Sequence, residues 1–243
     1  MRILALGDPH SKLPKNLDKI IFKNKIELII CVGDWAFTPE KPWIEKSWKN
    51  VKKGYVEKTY KEVVDKVCSY KLPVLTLRGN MFMTKKKHFA DRILRKNKNL
   101  INKFTGKYSF DNQSFIFFDV NYELSTLRDD KPSNFNRRRM GKNKTREIKL
   151  NKLLKENPNS ILIAHNPPYG YVDKAYTGKN VGSEILLTAI KKHKLKYVFC
   201  GHIHEAKGKA KIGKTIIYNL GYHGDYAVVD TAKNKLLESN FLK

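Results

Sequence analysis

Seven side chains that can bind a metal ion follow short apolar segments of the sequence. The segments cover residues 2–6, 27–32, 73–77, 160–164 and 196–200, and each has the length and composition of a buried β-strand. The side chains that follow them are, in chain order, Asp8, His10, Asp34, Asn80, His165, His202 and His204. Because ligands of open α/β sheets bind at the carboxyl ends of the strands, we expect these donors to lie together.

The donor set indicates transition-metal chemistry. Carboxylate, amide and imidazole groups suit divalent ions such as Mn, Fe, Co, Ni or Zn. Seven donors exceed the capacity of one tetrahedral site, and they fit two ions that share a bridging carboxylate. Two such ions, about 3.5–4 Å apart, can clamp a phosphoryl group and hold a bridging hydroxide as the nucleophile.

Each motif taken alone has a plain structural alternative. Gly33-Asp34 is a common turn sequence, and Asn80 after Gly79 tolerates a left-handed backbone. A lone His165 would more often be a hydrogen-bonded core histidine than a metal ligand. The joint occurrence of these residues at strand ends is what favours the metal site.

Hydrophobic periodicity predicts the elements that position these residues. Between the second and third strands, the stretch from about Trp43 to Tyr70 has apolar residues at helical spacing from Val56 to Val67 and predicts a helix. Another helix is expected over about 183–193. This alternation of strands and helices indicates parallel βαβ units. Residues 107–119 predict a hairpin around Asp111-Asn112. The last short strands are expected to be antiparallel, at 212–220, 225–230 and about 235–241, and the whole pattern favours a two-sheet α/β sandwich.

Length and composition suit an intracellular protein of one large domain or two small ones. The chain has 243 residues, of which 41% are hydrophobic, and no segment approaches the roughly 20 apolar residues that span a bilayer. Three scattered cysteines argue against a disulfide framework, so a cytoplasmic location without a membrane partner is expected. Residues 121–146 are polar and include three consecutive arginines, and they are predicted to form a long basic loop insertion.

The net charge of +26 has two interpretations. It could serve a polyanionic partner such as a nucleic acid or a nucleotide, or it could merely solvate the surface. Residues 85–103 carry eight basic residues against one acidic residue and begin shortly after Asn80. They could bind a nucleic-acid backbone, although Phe89 is the only aromatic residue in this segment that could stack on a base.

The order of the motifs resembles the calcineurin-like metallophosphoesterase superfamily. The residues that carry the resemblance are Asp8-x-His10, Gly33-Asp34, Gly79-Asn80, His165 and Gly201-His202-x-His204. The resemblance implies a four-layer αββα sandwich of two mixed β-sheets flanked by helices, formed as a single domain over residues 1–243. Three further segments resemble a small single-domain subgroup that is common in archaea: His165–Gly170, Val181–Ser183 and Asn219–Gly221.

The same resemblance implies a role for each donor. One ion would be bound by Asp8, His10, Asp34 and His204. The other would be bound by Asp34, Asn80, His165 and His202. Asp34, as the bridging ligand that positions the hydroxide, and His165 are the implied catalytic residues.

One position departs from the family pattern. The family usually has a histidine after the Gly-Asn pair, where this chain has Met81. That histidine is assigned to protonation of the leaving group or to charge stabilisation, and a thioether has no proton to give. His88 and His223 are candidate replacement donors. Met81, His88, Tyr169 and His223 are therefore predicted to contact the substrate, with the alternative that Tyr169 only belongs to a stiff turn after His165.

The sequence thus predicts a phosphoesterase that depends on two divalent ions, with Mn expected first and Fe, Zn or Ni as the alternatives. A phosphodiester is favoured over a monoester, because subgroups of the family that replace the missing histidine by cysteine remain phosphodiesterases. Three alternatives stay open: a nuclease acting on DNA or RNA, a noncatalytic metal-binding scaffold, and a nucleic-acid-binding protein with a vestigial site.

Overall fold

The computed structural model describes residues 1–39, 45–80, 87–119 and 134–242. The contacts among them divide the chain into two compact units. The first consists of residues 1–102 and 222–241, and the second consists of residues 103–221. Each unit contains one six-stranded mixed sheet. Two mixed sheets with flanking helices confirm the predicted fold class.

The sheet of the first unit combines four parallel strands with two antiparallel strands. The strands are β1 (Arg2–Leu6), β2 (Leu28–Cys31), β3 (Val74–Thr76), β4 (Leu100–Asn102), β11 (Tyr226–Asp230) and β12 (Lys235–Ser239). Their order across the sheet is β12-β11-β1-β2-β3-β4, with β1 to β4 parallel to one another and β11 antiparallel to both β1 and β12. The first three predicted strands are confirmed.

Four helices in the described part of the first unit join these strands. They are α1 (Leu17–Asn24), α2 (Glu45–Lys49), α3 (Tyr55–Cys68) and α4 (Lys87–Lys96). Helix α3 confirms the predicted periodicity, because its apolar stripe is buried in the same core cluster as Leu4 and Ile29 of the sheet. Helices α1 and α4 and strand β4 were not predicted.

The sheet of the second unit is built around three parallel pairings. Its strands are β5 (Thr105–Phe110), β6 (Gln113–Phe118), β7 (Ser160–Ala164), β8 (Leu195–Cys200), β9 (Gly208–Ile212) and β10 (Thr215–Asn219). The order is β5-β6-β7-β8-β10-β9. The predicted hairpin is confirmed in β5 and β6, where Asp111 and Asn112 adopt φ values of 49° and 58°. Positive φ at both central residues suits a tight two-residue turn.

Two helices flank this sheet, α5 (Asn134–Glu156) and α6 (Glu184–Lys192). The side-chain oxygen of Ser183 caps α6 by accepting a hydrogen bond of 2.9 Å from the backbone N–H of Leu186. Leu154 of α5 and Ile190 of α6 belong to the same buried cluster as Ile116, Leu162 and other sheet residues. The predicted helix at about 183–193 and the strand at 160–164 are therefore confirmed.

The predicted loop over 121–146 is wrong for its second half. Residues 134–146 belong to α5, and residues 120–133 lie outside the described residues. The apolar anchors of this helix, Leu150 and Leu154, lie one turn apart near its carboxyl end and are fully buried. Once packing secures those turns, the helix extends through polar residues that carry no apolar period of their own.

The prediction that the strand at 212–220 is antiparallel is also wrong in part. Strand β10 pairs in parallel with β8 and antiparallel with the unpredicted strand β9. Strand β9 alternates exposed lysines with half-buried residues, so its sequence lacks the apolar density of a typical strand. Strand β9 precedes β10 in the chain, and a turn at Gly213 joins the two strands. In the sheet, β10 lies between β8 and β9.

Candidate metal centre

In the first unit, Asp8 and His10 lie just beyond strand β1 and are buried. A carboxylate oxygen of Asp8 and a ring nitrogen of His10 lie within 4.8 Å of each other. Backbone hydrogen bonds join this loop to the loop after β2, since His10 N–H donates to Asp34 O and Ser11 N–H donates to Trp35 O, each at 3.0 Å. Two of the three predicted metal-binding loops of this unit, those after β1 and β2, are therefore held together by the main chain.

The hydrogen bonds of His10 determine which of its ring nitrogens can bind a metal. Its Nδ1 lies 3.0 Å from the carbonyl oxygen of Ala36 and 2.6 Å from Oγ1 of Thr38. A carbonyl can only accept a hydrogen bond, so a proton on Nδ1 satisfies this contact and leaves Nε2 as the nitrogen that can bind a metal. Histidine ligands in metal sites are oriented in this manner, by a second hydrogen bond to a carbonyl or carboxylate.

Asp34 and Gly79 are matched to each other. The buried Asp34 donates its backbone N–H to Arg78 O at 3.2 Å. Gly79 has φ of +76°, and a Cβ at this position would lie 2.2 Å from Asp34 Oδ1. Only glycine lets the loop after β3 pass the carboxylate, and the next residue along that loop is Asn80. Arg78 is itself held by an ion pair of 2.6 Å with Asp91 of α4.

In the second unit, His165 and His202 form the other pair of predicted ligands. His165 follows β7 and is fully buried, and His202 follows β8 and is half-buried. Their ring centroids are 4.9 Å apart, and a ring nitrogen of one lies within 4.8 Å of a ring nitrogen of the other. The N–H of Gly201 donates to His165 O at 2.9 Å. His204 begins a short 3₁₀ helix, His204–Ala206, and is half-buried.

Several of these residues adopt backbone angles that most side chains avoid. The φ values of His10, Asp34 and His202 are 43°, 44° and 67°, and that of His223 is 52°. Non-glycine residues in the left-handed region are uncommon and strained, and such strain concentrates at functional sites. All four had been singled out from the sequence.

The residues present fit a transition-metal centre. Asp8, Asp34, His10 and His165 are each at most 3% exposed. Buried carboxylates are costly unless they are paired or coordinate a metal. Nitrogen and carboxylate-oxygen donors match borderline divalent ions, and the described residues contain two Asp/His groups that could hold such ions.

The predicted substrate contacts have different outcomes. The ring of His223 lies edge-on to the ring of His10 with centroids 5.8 Å apart, and its N–H donates to Asp8 O at 3.0 Å. Tyr169 is half-buried, and its N–H donates to Ser183 O at 3.0 Å, which anchors the turn after His165. Met81 lies outside the described residues. His88 lies in α4, but its side chain is not among those described.

Two residues that organise the site were missed by sequence reasoning. Thr38 contacts Nδ1 of His10, as described above. Asp173 is buried, and its Oδ2 accepts hydrogen bonds from Gly170 N–H at 3.0 Å and Gly182 N–H at 2.8 Å. Asp173 thereby closes the loop between β7 and α6. Neither residue belongs to a short motif, because its partners lie in other parts of the loops.

These observations agree with a comparison with protein families. The chain belongs to the calcineurin-like phosphoesterase family, whose family model matches residues 1–206. A relative, the uncharacterized protein MJ1162 of Methanocaldococcus jannaschii, is 35% identical over 98 residues. That alignment covers 38% of this chain and 44% of the relative, so the chain spans less than half of the relative it matches.

Solved structures share the fold over almost the whole chain. The protein TT1561 of Thermus thermophilus has a TM-score of 0.61 at 16% identity, and the match covers 98% of this chain and 97% of that one. A dimetal phosphatase from Danio rerio has a TM-score of 0.60 at 11% identity, with coverages of 94% and 91%. Among the described residues, no helix has the length and apolar character needed to cross a membrane.

Proposed function

We propose that this protein is a phosphoesterase that depends on two divalent metal ions and hydrolyses phosphodiesters in preference to monoesters. The proposal depends on one observation: in a member of this family, the side chains of His10 and Asp34 are held in positions that suit metal binding. His10 has its Nδ1 proton engaged, and Gly79 leaves space for the Asp34 carboxylate. We propose Mn as the metal, with Fe, Zn or Ni as the alternatives.

The ligand assignment follows the pattern of the family. Asp8, His10, Asp34 and His204 would bind one ion, and Asp34, Asn80, His165 and His202 would bind the other. We further propose that residues 1–243 act as one functional domain. The family match over residues 1–206 supports this, since it includes all seven donors.

The bound ions would supply the Lewis acidity that activates water and neutralises charge on the phosphoryl oxygens. The chain's own residues orient that chemistry. Asp34 would serve as the shared ligand, and His165 is the second proposed catalytic residue. Thr38 and the Ala36 carbonyl hold His10 in the tautomer that leaves Nε2 for the metal.

Protonation of the leaving group is where this chain departs from its family. Met81 cannot donate a proton. His223, whose ring lies beside that of His10, is the candidate donor through a ring nitrogen, with His88 as the other. General acid catalysis typically contributes about 10²–10⁴-fold, so weak replacement of this donor favours substrates with acidic leaving groups.

Hydrolysis of bis-p-nitrophenyl phosphate and p-nitrophenyl phosphate tests the proposal, with Mn²⁺, Ni²⁺, Co²⁺, Zn²⁺ or a chelator. We expect diester cleavage that requires metal and is abolished by Asp34→Asn. Asp111→Asn is the matched control, because it makes the same chemical change at an exposed hairpin turn. No turnover with any metal would leave the noncatalytic scaffold as the better description.

A nuclease is the second candidate, and a cavity in the first unit favours it. The cavity has a volume of about 740 Å³ and is lined by Lys52, Lys53 and Lys58 together with the aromatic rings of Phe37 and Tyr55. Phe37 precedes Thr38, the residue that contacts His10. Lysines that neutralise phosphates and aromatic rings that stack bases are the combination used to bind single-stranded nucleic acid.

Cleavage of a single-stranded oligonucleotide over a range of salt concentrations tests this second candidate. Lys58→Gln should weaken binding and reduce its salt dependence. Lys152→Gln is the matched control, since both lysines are exposed on helices and face a glutamate four residues on, at 3.8 and 4.0 Å. Equal effects of the two substitutions would mean that the charge acts as a diffuse surface property. The cytoplasmic location also stays a prediction, based on the three scattered cysteines of the sequence.

A further inference from the structure

Asn219 is fully buried at the carboxyl end of β10, and its side chain makes three hydrogen bonds. Its Nδ2 donates to the carbonyl oxygens of Ile203 at 2.8 Å and Val172 at 2.9 Å. Its Oδ1 accepts from the N–H of Gly221 at 3.1 Å. The side-chain amide of Asn219 thus donates hydrogen bonds to main-chain carbonyls of two other loops.

The first of these carbonyls belongs to the residue between two proposed metal ligands. Ile203 separates His202 from His204, and its N–H donates to Gly201 O at 2.8 Å. This hydrogen bond spans only two residues and makes His202 the centre of a γ-turn with φ of 67°. A γ-turn with positive φ is rare and strained, so it persists only where surrounding contacts hold it.

The second carbonyl belongs to another strained residue. Val172 has φ of 50°, which is a marked outlier for a β-branched side chain. The next residue, Asp173, closes the loop that starts at His165 through its bonds to Gly170 and Gly182. Asn219 therefore bonds directly to the strained backbone of both loops that present the histidines of the second unit.

The register of the sheet explains why this position can reach both loops. Asn219 pairs with Cys200 of the parallel neighbour β8, so β8 and β10 end at the same level. The loop that carries His202 and His204 leaves β8 directly after this pair. A short side chain with two donors and one acceptor at this strand end meets three main-chain groups at once.

We propose that Asn219 is a positioning residue, which holds His202 and His204 in their ligating orientation and couples their loop to the loop after His165. The metal-binding part of this inference rests on the proposed function. The alternative is that Asn219 merely ends a strand and stabilises the fold. The positioning role predicts that a substitution of Asn219 lowers the metal affinity of the folded protein. The purely structural role predicts a loss of stability with unchanged metal affinity.

The experiment is calorimetric titration of the metal-free full chain with Mn²⁺, in wild type and in Asn219→Leu, with urea unfolding measured in parallel. Leucine keeps a similar shape and removes the donors without adding charge. We expect Mn²⁺ affinity to fall about 10–100-fold, the range typical when a residue that orients a metal ligand is lost. If Asn219→Leu does not fold, Asn219→Ser, which keeps one donor, should show a smaller loss.

Asn99→Leu is the matched control. The side chain of Asn99 also donates both amide protons to two carbonyls, Cys68 O at 3.0 Å and Leu72 O at 2.8 Å, but it contacts no proposed ligand through them. We expect this variant to lose stability and to keep its Mn²⁺ affinity. Equal affinity of folded Asn219→Leu or Asn219→Ser and wild type would overturn the positioning role.

Failure of the proposed function would look different. In that case wild type itself would bind no Mn²⁺. The imidazole ¹⁵N signals of His202 and His204 in the metal-free protein then decide the positioning role. They should shift in the Asn219 variants and stay unchanged in Asn99→Leu, and unchanged signals in both would refute the proposal.

Discussion

The two units present their histidines and carboxylates by different means. In the first unit, loops after neighbouring strands are joined by main-chain hydrogen bonds, from His10 to Asp34 and from Asp34 to Arg78. In the second unit, buried side chains tie the loops together, with Asn219 bonding two of them and Asp173 closing one. The first arrangement depends on close approach of backbones, and the second depends on particular polar side chains.

This difference determines which substitutions should matter in each unit. Where backbones approach closely, the sensitive residue is the glycine that permits the approach. Where side chains bridge loops, the sensitive residues are buried and polar, and they need not touch the reacting groups. Substitutions of both kinds can therefore separate the two arrangements.

The largest effect is expected for Gly79→Ala in the first unit. An alanine Cβ would lie 2.2 Å from Asp34 Oδ1 and 2.5 Å from Asp34 N, at φ of +76°. Left-handed strain and overpacking together should lower the free energy of unfolding by about 4 kcal/mol and displace the Asp34 carboxylate. Urea unfolding and Mn²⁺ titration measure the two consequences.

Gly213→Ala separates the clash from the strain. Gly213 has φ of +58° with nothing within 4 Å of its would-be Cβ, so only the strain applies, about 1 kcal/mol. If Gly79→Ala proved no worse than Gly213→Ala, backbone approach to Asp34 would not be the factor that organises the first unit.

The next effect is expected for Asp173→Ala in the second unit. The substitution removes the acceptor of two N–H groups, those of Gly170 and Gly182. Loss of the acceptor for these two hydrogen bonds, one buried and one part-buried, should cost about 3 kcal/mol of unfolding free energy. Asp173→Asn retains an oxygen and should cost about 1 kcal/mol. Equal losses for the two variants would show that the charge of Asp173, rather than its acceptor oxygen, holds the loop.

The smallest effect concerns a side-chain network at the edge of the first sheet. Hydrogen bonds from Asn24, Tyr226 and Lys23 lower the pKa of Glu238 to about 2, against an ordinary value of 4.5. Because the folded pKa is depressed, the stabilisation is complete above about pH 4.5 and is lost as pH falls towards 2.

Glu238→Gln should therefore destabilise the protein at neutral pH, and its difference from wild type should shrink between pH 4.5 and pH 2. Urea unfolding across this range provides the measurement. Glu62→Gln is the control, because Glu62 forms only an exposed pair with Lys58 at 3.8 Å. A constant difference across the range would mean that the carboxylate of Glu238 is not the group that titrates.

Sequence patterns predicted the strands well where burial is complete. The apolar segments that form β1, β2, β3, β7 and β8 are buried throughout or nearly so. A short, almost continuous apolar segment is typical of a strand that is buried on both faces. The elements that were missed, such as β9 and the first half of α5, are amphipathic or highly charged. Their structure is decided by neighbours distant in sequence, which local periodicity does not record.

The aromatic residues after Asp34 illustrate the same limit. An aromatic residue directly after a predicted ligand, such as Trp35, can either line a substrate cleft or belong to the core. The structure buries it completely and pairs its Nε1 with Thr76 Oγ1 at 2.9 Å, so it is a core residue. Burial of this indole depends on a strand 41 positions away in the chain.

By itself, the sequence determined the donor types, their order at the strand ends and the two-sheet fold class. Those features depend on local composition and on which residues directly follow each short apolar segment in the chain. Only the tertiary structure decided the tautomer of His10, the need for glycine at position 79, and the roles of Asp173 and Asn219. Each of these depends on hydrogen bonds or close approaches between loops, and the distances that define them exist only once the sheets have formed.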